Sequence, residues 1–221
     1  MDIEARPPQT THQYVLEQLR RAILTGKLAP GSPIRQDALA EQLGVSRVPL
    51  REALKILEGE GQVVYRARRG YIVAELAFED FLEVYRIRQI LEEEAARKAV
   101  SRITDEEIVR LEEAHAEVVA AGQAGEITAM AVANRRFHFT LFETAGMPRI
   151  RRFLSILWDA TDVYRSLYYS EVVNRERVDH EHRGIIDAVR DRDADRLVRL
   201  LDEHRAGTVA TFREFMAERE T

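Results

Sequence analysis

Apolar positions in the first third of the chain recur at helical spacing and then change to strand spacing. The segment TTHQYVLEQLRRAILT places Leu19, Ala22 and Ile23 on one stripe and ends before Gly26, a common helix stop. A shorter helix follows at about 35–43, and a third begins after Ser46 and continues to about residue 60. The runs QVVYR and GYIVA are β-branched and aromatic, and ARRG separates them. We therefore predict three helices and a small hairpin with a basic tip.

The pattern is helical throughout from residue 78 onward. Six amphipathic segments are predicted, at about 78–101, 104–121, 126–145, 148–170, 174–191 and 193–218. Thr104 and Glu107 form a capping-box pattern, and Asn174 and Asp193 are predicted N-caps. Short connections between long helices favour an antiparallel bundle.

The expected fold class is mainly α, in three parts. A flexible N-terminus at residues 1–9 precedes a winged helix-turn-helix unit at residues 10–75. An all-α antiparallel helical bundle follows at residues 76–221.

The composition excludes several kinds of site. The 221 residues include no cysteine, so disulfides, thiolate metal sites and cysteine nucleophiles are excluded, and any metal must be held by His, Asp, Glu, Asn or water. No apolar run approaches the length of a membrane span, and the polar beginning MDIEARPPQTTHQY contains nothing like a secretory core. We expect a cytoplasmic protein with no membrane partner.

Charge is divided unevenly along the chain. The net charge is −5, but residues 1–75 carry 11 Lys and Arg against 9 Asp and Glu, a balance of +2 that leaves −7 for the rest. Thirty of the 33 basic residues are Arg, which suits bidentate contacts with phosphate, guanine or carboxylate, although a genome rich in G and C would produce the same bias. The acidity therefore belongs to the bundle and does not oppose DNA binding by the first unit.

The stretch LAEQLGVSRVPLREALKILEGEG has the form of a helix-turn-helix. A short helix, a Gly-containing turn and a longer helix follow one another, and such a second helix enters the major groove with its N-terminal residues facing the bases. Arg47 and Arg51 are four residues apart and share a face, while Val48, Leu54 and Leu57 are predicted to face the core. Arginine commonly reads guanine through O6 and N7. Arg47 and Arg51 are therefore candidate base readers.

The basic hairpin tip completes this candidate interface. Arg66, Arg68 and Arg69 precede Gly70 and would lie along phosphates or in the minor groove as a wing. The alternative is that all these arginines are solvated charges on an ordinary helical hairpin. The turn, the basic tip and the charge division together favour DNA.

Three histidines in the bundle lie on apolar helix faces. His138, His182 and His204 each follow apolar neighbours at helical spacing, and Asn134 lies one turn before His138. Side chains on different helices can converge in a bundle core, where imidazole nitrogen suits Zn, Ni, Cu, Fe or Mn and an amide oxygen adds a weaker donor. The alternative for each one is an ordinary core histidine satisfied by a hydrogen bond.

Arg88 also falls on a core-facing stripe, in VYRIRQILEEEAA. A guanidinium there needs an anion, and a ligand carboxylate would meet it through two hydrogen bonds. The alternative is an internal salt bridge, for example with Glu92 or Asp162.

These motifs together resemble a known family. YVLEQLRRAILTGKLAPGSPI, LAEQLGVSRVPLREALKILEGEGQV and RRGYIVA resemble the N-terminal winged helix of the GntR family of bacterial transcription regulators. The second part resembles the all-helical FCD effector domain of the FadR-type subfamily, in the six-helix, VanR-like variety. The resemblance implies a homodimer that binds near-palindromic, double-stranded operator DNA. It also implies that a small metabolite releases or remodels this complex, and we expect the protein to act as a repressor.

For the DNA-binding unit, the resemblance implies contacts from specific positions. The arginines at the start of the recognition helix and the wing glycine map to Arg47, Arg51 and Gly70, with Arg35 and Arg69 as further candidates.

For the bundle, it implies a metal site. The segments NRRFH, EHRGIIDAV and DEHRAG supply Asn134, His138, His182 and His204 as ligands of a divalent transition metal, expected to be zinc, with nickel, manganese or iron as alternatives. Asn134 stands where the family more often has Asp, and a neutral amide donates less charge to a metal.

The resemblance also favours a bound effector as the partner of Arg88. An arginine of this helix commonly contacts the ligand in FCD proteins, and we expect a small organic acid at Arg88, with Tyr85 and Arg165 shaping the pocket.

Two rival functions remain open at this point. One is a metal-dependent, hydrolase-like enzyme in which three histidines activate water, although no Glu or Asp beside them presents itself as a general base. The other is a DNA-binding regulator whose metal is purely structural.

Overall fold

The chain divides into two compact units, residues 1–75 and 76–221. The computed structural model describes residues 10–75 and 77–219, apart from the side chains of residues 163, 166, 167, 215, 218 and 219. The flexible N-terminus predicted for residues 1–9 lies outside the described residues.

The first unit contains three helices and a hairpin in its described part. They are α1 Thr11–Leu24, α2 Gln36–Leu43, α3 Arg47–Gly59, β1 Val63–Arg66 and β2 Gly70–Val73. Gly44 ends α2 in a left-handed conformation (φ 66°), which glycine adopts without steric cost and which turns the chain sharply into α3. The core lies between α1 and α3, where Leu19, Leu54 and Leu57 are fully buried.

The predicted direction of Val48 is wrong. Leu54 and Leu57 are buried as expected, but the Val48 side chain is 65% exposed. The buried stripe of α3 is Leu50, Ala53, Leu54 and Leu57. Val48 lies three residues before Arg51, so the helical period places it on the same outward face as that arginine.

The hairpin is antiparallel and anchored to α3. Val63 pairs with Val73 and Tyr65 with Tyr71, and the inward side chains of Val63, Tyr71 and Val73 are buried in the core of the unit. The Tyr71 hydroxyl also donates to Glu58 Oε2 at 3.4 Å. These contacts hold the two strands at the C-terminal half of α3.

Every regular element in the described part of the second unit is a helix, as predicted. Its helices are α4 Phe78–Val100, α5 Asp105–Ala124, α6 Ile127–Thr144, α7 Pro148–Ser170, α8 Val172–Arg190 and α9 Ala194–Arg219. The predicted fold class, mainly α with a winged helix-turn-helix followed by an all-α bundle, is confirmed. None of the helices in the described residues is long and apolar enough to cross a membrane.

Two of the three predicted N-terminal caps of the bundle helices are confirmed. Thr104 and Glu107 form the capping box of α5, and Asp193 Oδ1 accepts from the Arg196 N–H at 2.9 Å at the start of α9. Asn174 is not a cap, because α8 already begins at Val172. Its side-chain amide instead donates to the Tyr168 carbonyl at 2.9 Å and satisfies a carbonyl near the end of α7.

The main core of the bundle lies where α6 packs against the neighbouring helices. α6 packs on α4, α5 and α7, while α8 and α9 pack on each other. Phe137, Phe142 and Trp158 are among the largest fully buried side chains. Polar groups that are buried in this core, from α4, α6, α7, α8 and α9, form the candidate site.

Candidate functional site

The start of α3 presents an exposed basic surface in the first unit. Arg47 and Arg51 are exposed, and together with Arg35 they line one open depression. Arg47 Nε lies 2.6 Å from Asp37 Oδ1, and both side chains are more than two-thirds exposed. An ion pair so open to water contributes little stability, so a DNA phosphate or base edge can replace Asp37 at low cost.

The hairpin tip is also basic and exposed. Arg66, Arg68 and Arg69 all face solvent, and the Arg69 N–H closes the turn on the Arg66 carbonyl at 3.0 Å. Gly70 has a φ of 78°, and a Cβ added there would meet nothing within 4 Å. The glycine is therefore required by its backbone conformation and leaves open space in front of the strand.

Val48 is a surface residue that the sequence reasoning missed. It lies on the exposed face of α3 beside Arg47 and Arg51, where apolar side chains meet the methyl group of thymine in DNA complexes. Its three-residue spacing from Arg51 was the signal that places it there.

Three predicted histidines converge in the bundle. His138 on α6, His182 on α8 and His204 on α9 are all buried, and one ring nitrogen of each lies within 4.8 Å of the others. His138 Nε2 and His204 Nε2 are 3.2 Å apart. The His182 ring stacks on Phe137, with 3.8 Å between ring centroids and a tilt of 7°.

Several polar atoms around this cluster are buried without a hydrogen-bond partner among the described residues. They are Asn134 Oδ1, His138 Nδ1 and both ring nitrogens of His182. Each such atom costs about 1–3 kcal/mol when it is left unsatisfied. Asn134 lines the same small cavity as His138 and His204. The four predicted ligands thus lie in one region, and three of them, Asn134, His138 and His182, carry unsatisfied polar atoms there.

The donor set fits a divalent transition metal. Burial, together with the neighbouring imidazoles, holds the pKa of His138 and of His182 well below the ordinary value of 6.5, so both rings are neutral and carry a free lone pair at pH 7. Two metal–nitrogen bonds of about 2.1 Å at an angle of about 100° would span the 3.2 Å between His138 and His204. Asn134 adds one neutral oxygen.

A carboxylate stands behind one of the histidines, contrary to the sequence expectation that none presents itself beside them. Glu181 Oε2 is 2.7 Å from His204 Nδ1 and is a hydrogen-bond acceptor there. Because this contact uses the nitrogen opposite Nε2, the carboxylate lies on the outer side of the ring from His138. It therefore lies away from the Nε2 side of the ring, where a general base would have to act.

Arg88 lies against the cluster in a charged network that the sequence reasoning only partly foresaw. Its Nε donates to Glu92 Oε1 at 3.0 Å, so the alternative of an internal salt bridge with Glu92 is present. Trp158 Nε1 donates to the same oxygen at 2.8 Å, and Arg205 pairs with the other one. Burial alone would raise the pKa of Glu92, but Arg88 and Arg205 outweigh it and hold the pKa below 4.5.

Arg165 and Tyr85 also line the cavity beside the histidines. The guanidinium groups of Arg88 and Arg165 lie 4.3 and 4.0 Å from the Trp158 ring centroid, and Arg165 pairs with Asp162. The Tyr85 ring lies 4.6 Å from the Arg88 guanidinium carbon. All three predicted effector residues therefore line the cavity that Asn134, His138 and His204 also line.

The cavity is lined by buried guanidinium groups and has little free space. Those of Arg88, Arg165 and Arg205 are all buried, and each has a carboxylate partner. Glu92 is the one equally buried carboxylate in the described part of the chain. The free volume is about 10 Å³, room for about one water molecule. An anion larger than water therefore requires some of these side chains to move.

We expect the metal-free protein to lose stability below pH 6.5. His138 and His182 have depressed pKa values in the folded state, so below 6.5 the unfolded chain takes up protons that the folded chain refuses. Their contribution is complete above pH 6.5, and the loss reaches about 1.4 kcal/mol per pH unit for each group.

Denaturant unfolding of chelator-treated protein at pH 7.5 and 5.5 measures this slope. A variant with both His138→Ala and His182→Ala is the reference, because it lacks the two groups. An equal slope in the two proteins would contradict the expectation.

Both units of the chain match known protein families. A family model described as bacterial regulatory proteins, gntR family, matches residues 11–73, and one described as FCD domain matches residues 83–207. The HTH-type transcriptional regulator YdhC of Bacillus subtilis (strain 168) is 30% identical over 190 residues, which cover 86% of this chain and 85% of YdhC. The HTH-type transcriptional repressor RspR of Escherichia coli (strain K12) is 26% identical over 204 residues, which cover 92% of this chain and 90% of RspR.

Two solved structures share the fold. McbR/YncC of E. coli has a TM-score of 0.84 and 23% identity, over 93% of this chain and 99% of that one. A putative transcriptional regulator GntR from Rhodococcus sp. RHA1 has a TM-score of 0.77 and 23% identity, over 90% of this chain and 96% of that one.

Proposed function

The chain belongs to the gntR family of bacterial regulatory proteins, with an FCD domain as its second unit, and we propose that it is a homodimeric repressor controlled by a small organic acid bound beside a metal ion. It is a transcription regulator and not an enzyme, since the matched families and relatives are DNA-binding regulators. The repressor role is inferred from the similarity to RspR, a transcriptional repressor, and from the family resemblance.

The observation that carries the proposal is the buried cationic, histidine-lined cavity of the bundle. Burying three guanidinium groups and leaving imidazole and amide atoms unsatisfied costs free energy that an apolar core would avoid. A helical unit that only paired two subunits would need none of these groups. A bound metal ion would satisfy the open imidazole and amide atoms, and a bound anion would share the guanidinium groups with their carboxylate partners.

The metal would be held by Asn134, His138, His182 and His204. It would supply a fixed positive charge and open coordination positions for a carboxylate. Zinc suits three neutral imidazoles, and nickel, manganese and iron are alternatives. Asn134 is the ligand that water would replace most easily, because its amide is neutral.

The carboxylate of the effector would meet Arg88. Glu92 already accepts from Arg88 Nε, so the incoming group either shares the guanidinium or displaces Glu92 toward Arg205. Arg165 and Tyr85 bound the same space. Because the cavity is small, binding shifts side chains on helices α4, α7 and α9, and such a shift gives the ligand-bound protein a different preference among its conformations.

The DNA partner would be a double-stranded, near-palindromic operator. Arg47 and Arg51 would read base edges in the major groove, while Gly70 and Arg69 in the wing and Arg35 on the flank would contact the backbone or minor groove. A homodimer would place two copies of α3 about one helical turn of DNA apart. Effector and operator are coupled if the acid binds the DNA-competent and incompetent dimers with different affinities.

A thermal-shift panel tests the effector site. Zinc-loaded protein is heated with a set of mono-, di- and tricarboxylic acids, and an acid at 100 times its Kd should add about 2.7 kcal/mol of stability. The same acid should then change the fluorescence anisotropy of a labelled operator. The control is chelator-treated protein, in which the shift should disappear.

The outcomes separate the rival roles of the metal. If zinc raises the melting temperature and no acid adds to it, the metal is structural and the effector proposal fails. If an acid stabilises the chelator-treated protein equally, the metal takes no part in effector binding.

A further inference from the structure

We propose that Glu181 is a positioning residue that fixes the ring of His204, so that Nε2 of His204 always presents its lone pair to the metal. The proposal rests on the metal site of the proposed function and adds a residue outside the four ligands. One helix, α8, then supplies both the ligand His182 and, one residue earlier, the carboxylate behind a ligand on α9.

The geometry of His204 uses both ring nitrogens in opposite directions. Nδ1 lies 2.7 Å from Glu181 Oε2, and Nε2 lies 3.2 Å from His138 Nε2. An ionised carboxylate can only accept hydrogen bonds, so Nδ1 must carry the hydrogen. In the neutral imidazole, Nε2 is then left as the lone pair that a metal requires.

This tautomer also assigns the contact between the two histidines. Because His204 Nε2 is an acceptor, the 3.2 Å contact requires His138 Nε2 to donate when no metal is bound. A metal ion at this point takes the place of that single hydrogen. His204 therefore keeps one tautomer in both states, whereas His138 changes.

Glu181 is itself held in place from outside. Arg177 Nε donates to Glu181 Oε1 at 2.6 Å, which leaves Oε2 for His204. A Cβ added at Gly207 would lie 3.1 Å from the Arg177 guanidinium carbon and 3.2 Å from the Tyr168 hydroxyl. The glycine, three residues after His204 on α9, thus gives Arg177 room to lie close to α9.

The other two histidines lack such support. Among the described residues, no partner is found for His138 Nδ1 or for either nitrogen of His182. His204 is thus the histidine of the cluster whose ring is fixed before a metal arrives. A carboxylate in this position typically contributes 10- to 100-fold in metal affinity.

Metal affinity tests the assignment in the full-length protein. Zinc affinity is measured by competition with a chromophoric chelator for wild type, Glu181→Ala, Glu181→Gln and Glu203→Ala. We expect Glu181→Ala to bind zinc about 10- to 100-fold more weakly. Glu181→Gln should recover part of the loss, because its amide oxygen can still accept from Nδ1–H. Glu203 is the matched control, since it is exposed and adjacent to His204.

The tautomer of His204 in metal-free protein is the second readout. Long-range ¹H–¹⁵N NMR of the imidazoles should give His204 as Nδ1–H in wild type and a mixture of tautomers in Glu181→Ala. This measurement needs no metal, so it decides the role of Glu181 even if the wild type binds no zinc and the proposed metal site fails. If Glu181→Ala does not fold, the tautomer of His204 in the wild type still tests the assignment.

Two results would overturn the proposal. One is a wild-type His204 protonated at Nε2. The other is a zinc affinity for Glu181→Ala within twofold of that for Glu203→Ala.

Discussion

Replacing Arg47 and Arg51 together by alanine is expected to weaken operator binding by at least about 30-fold, because each bidentate arginine–base contact is worth about 1–3 kcal/mol. Both side chains are exposed at the start of α3, and the one ion pair that Arg47 makes there, with Asp37, is open to water. The double variant should therefore fold as stably as wild type. The loss belongs to the DNA interface and not to the core.

Lys55→Ala is the matched control for this experiment. Lys55 carries the same charge, is exposed on the same helix and lies one turn beyond Arg51, away from the end that enters the groove. Anisotropy titrations would use an operator selected from random DNA by the wild-type protein, with a scrambled duplex alongside. The double variant should lose its preference between the two duplexes, whereas Lys55→Ala should keep it. Equal operator affinities for the two variants would exclude base reading by Arg47 and Arg51.

The second large effect is expected at the metal site. A variant with His138→Ala and His182→Ala removes two of the three imidazoles, and its metal content should fall from about one ion per chain to almost none. Elemental analysis after dialysis against zinc measures this directly, and circular dichroism checks the helical fold. Asn134→Ala should cost much less, because water can take the place of a neutral amide oxygen.

His115 offers a close control for the two ligands. It is a partly buried histidine whose ring lies 5.6 Å from that of His182, but it pairs with Asp179 at 3.2 Å and stands outside the cluster. His115→Ala should retain its zinc. Metal content that is undiminished in the double variant would exclude the histidine cluster as the metal site.

Helix positions in the bundle could be predicted closely, because the signal is local. Each of the six helices repeats apolar residues at helical spacing, and capping pairs such as Thr104 and Glu107 mark their ends. The errors are local as well. Val48 was assigned to the core although it shares a face with Arg51, and Asn174 was assigned to a cap although α8 begins two residues earlier.

The candidate site could be predicted only in part. A histidine on an apolar helix face points inward, so the sequence indicates that His138, His182 and His204 face the core. The carboxylate beside them, Glu181, was missed because it gave no comparable signal. Glu181 precedes His182 by one residue, yet its partner is His204 on the next helix, and only the packing of α8 on α9 brings the two together.

The sequence by itself determined the two-part architecture and the inward direction of the histidines, because these follow from spacing along one chain segment. Tertiary structure decided the partners. The sequence left two equal candidates for the anion that pairs with Arg88, a carboxylate of the protein and a carboxylate of a ligand. The packing of α4 against α7 and α9 places Glu92 between Arg88, Trp158 and Arg205. Arg205 lies 113 residues from Glu92, and no periodic pattern spans that distance, because contacts between helices depend on how whole faces fit together.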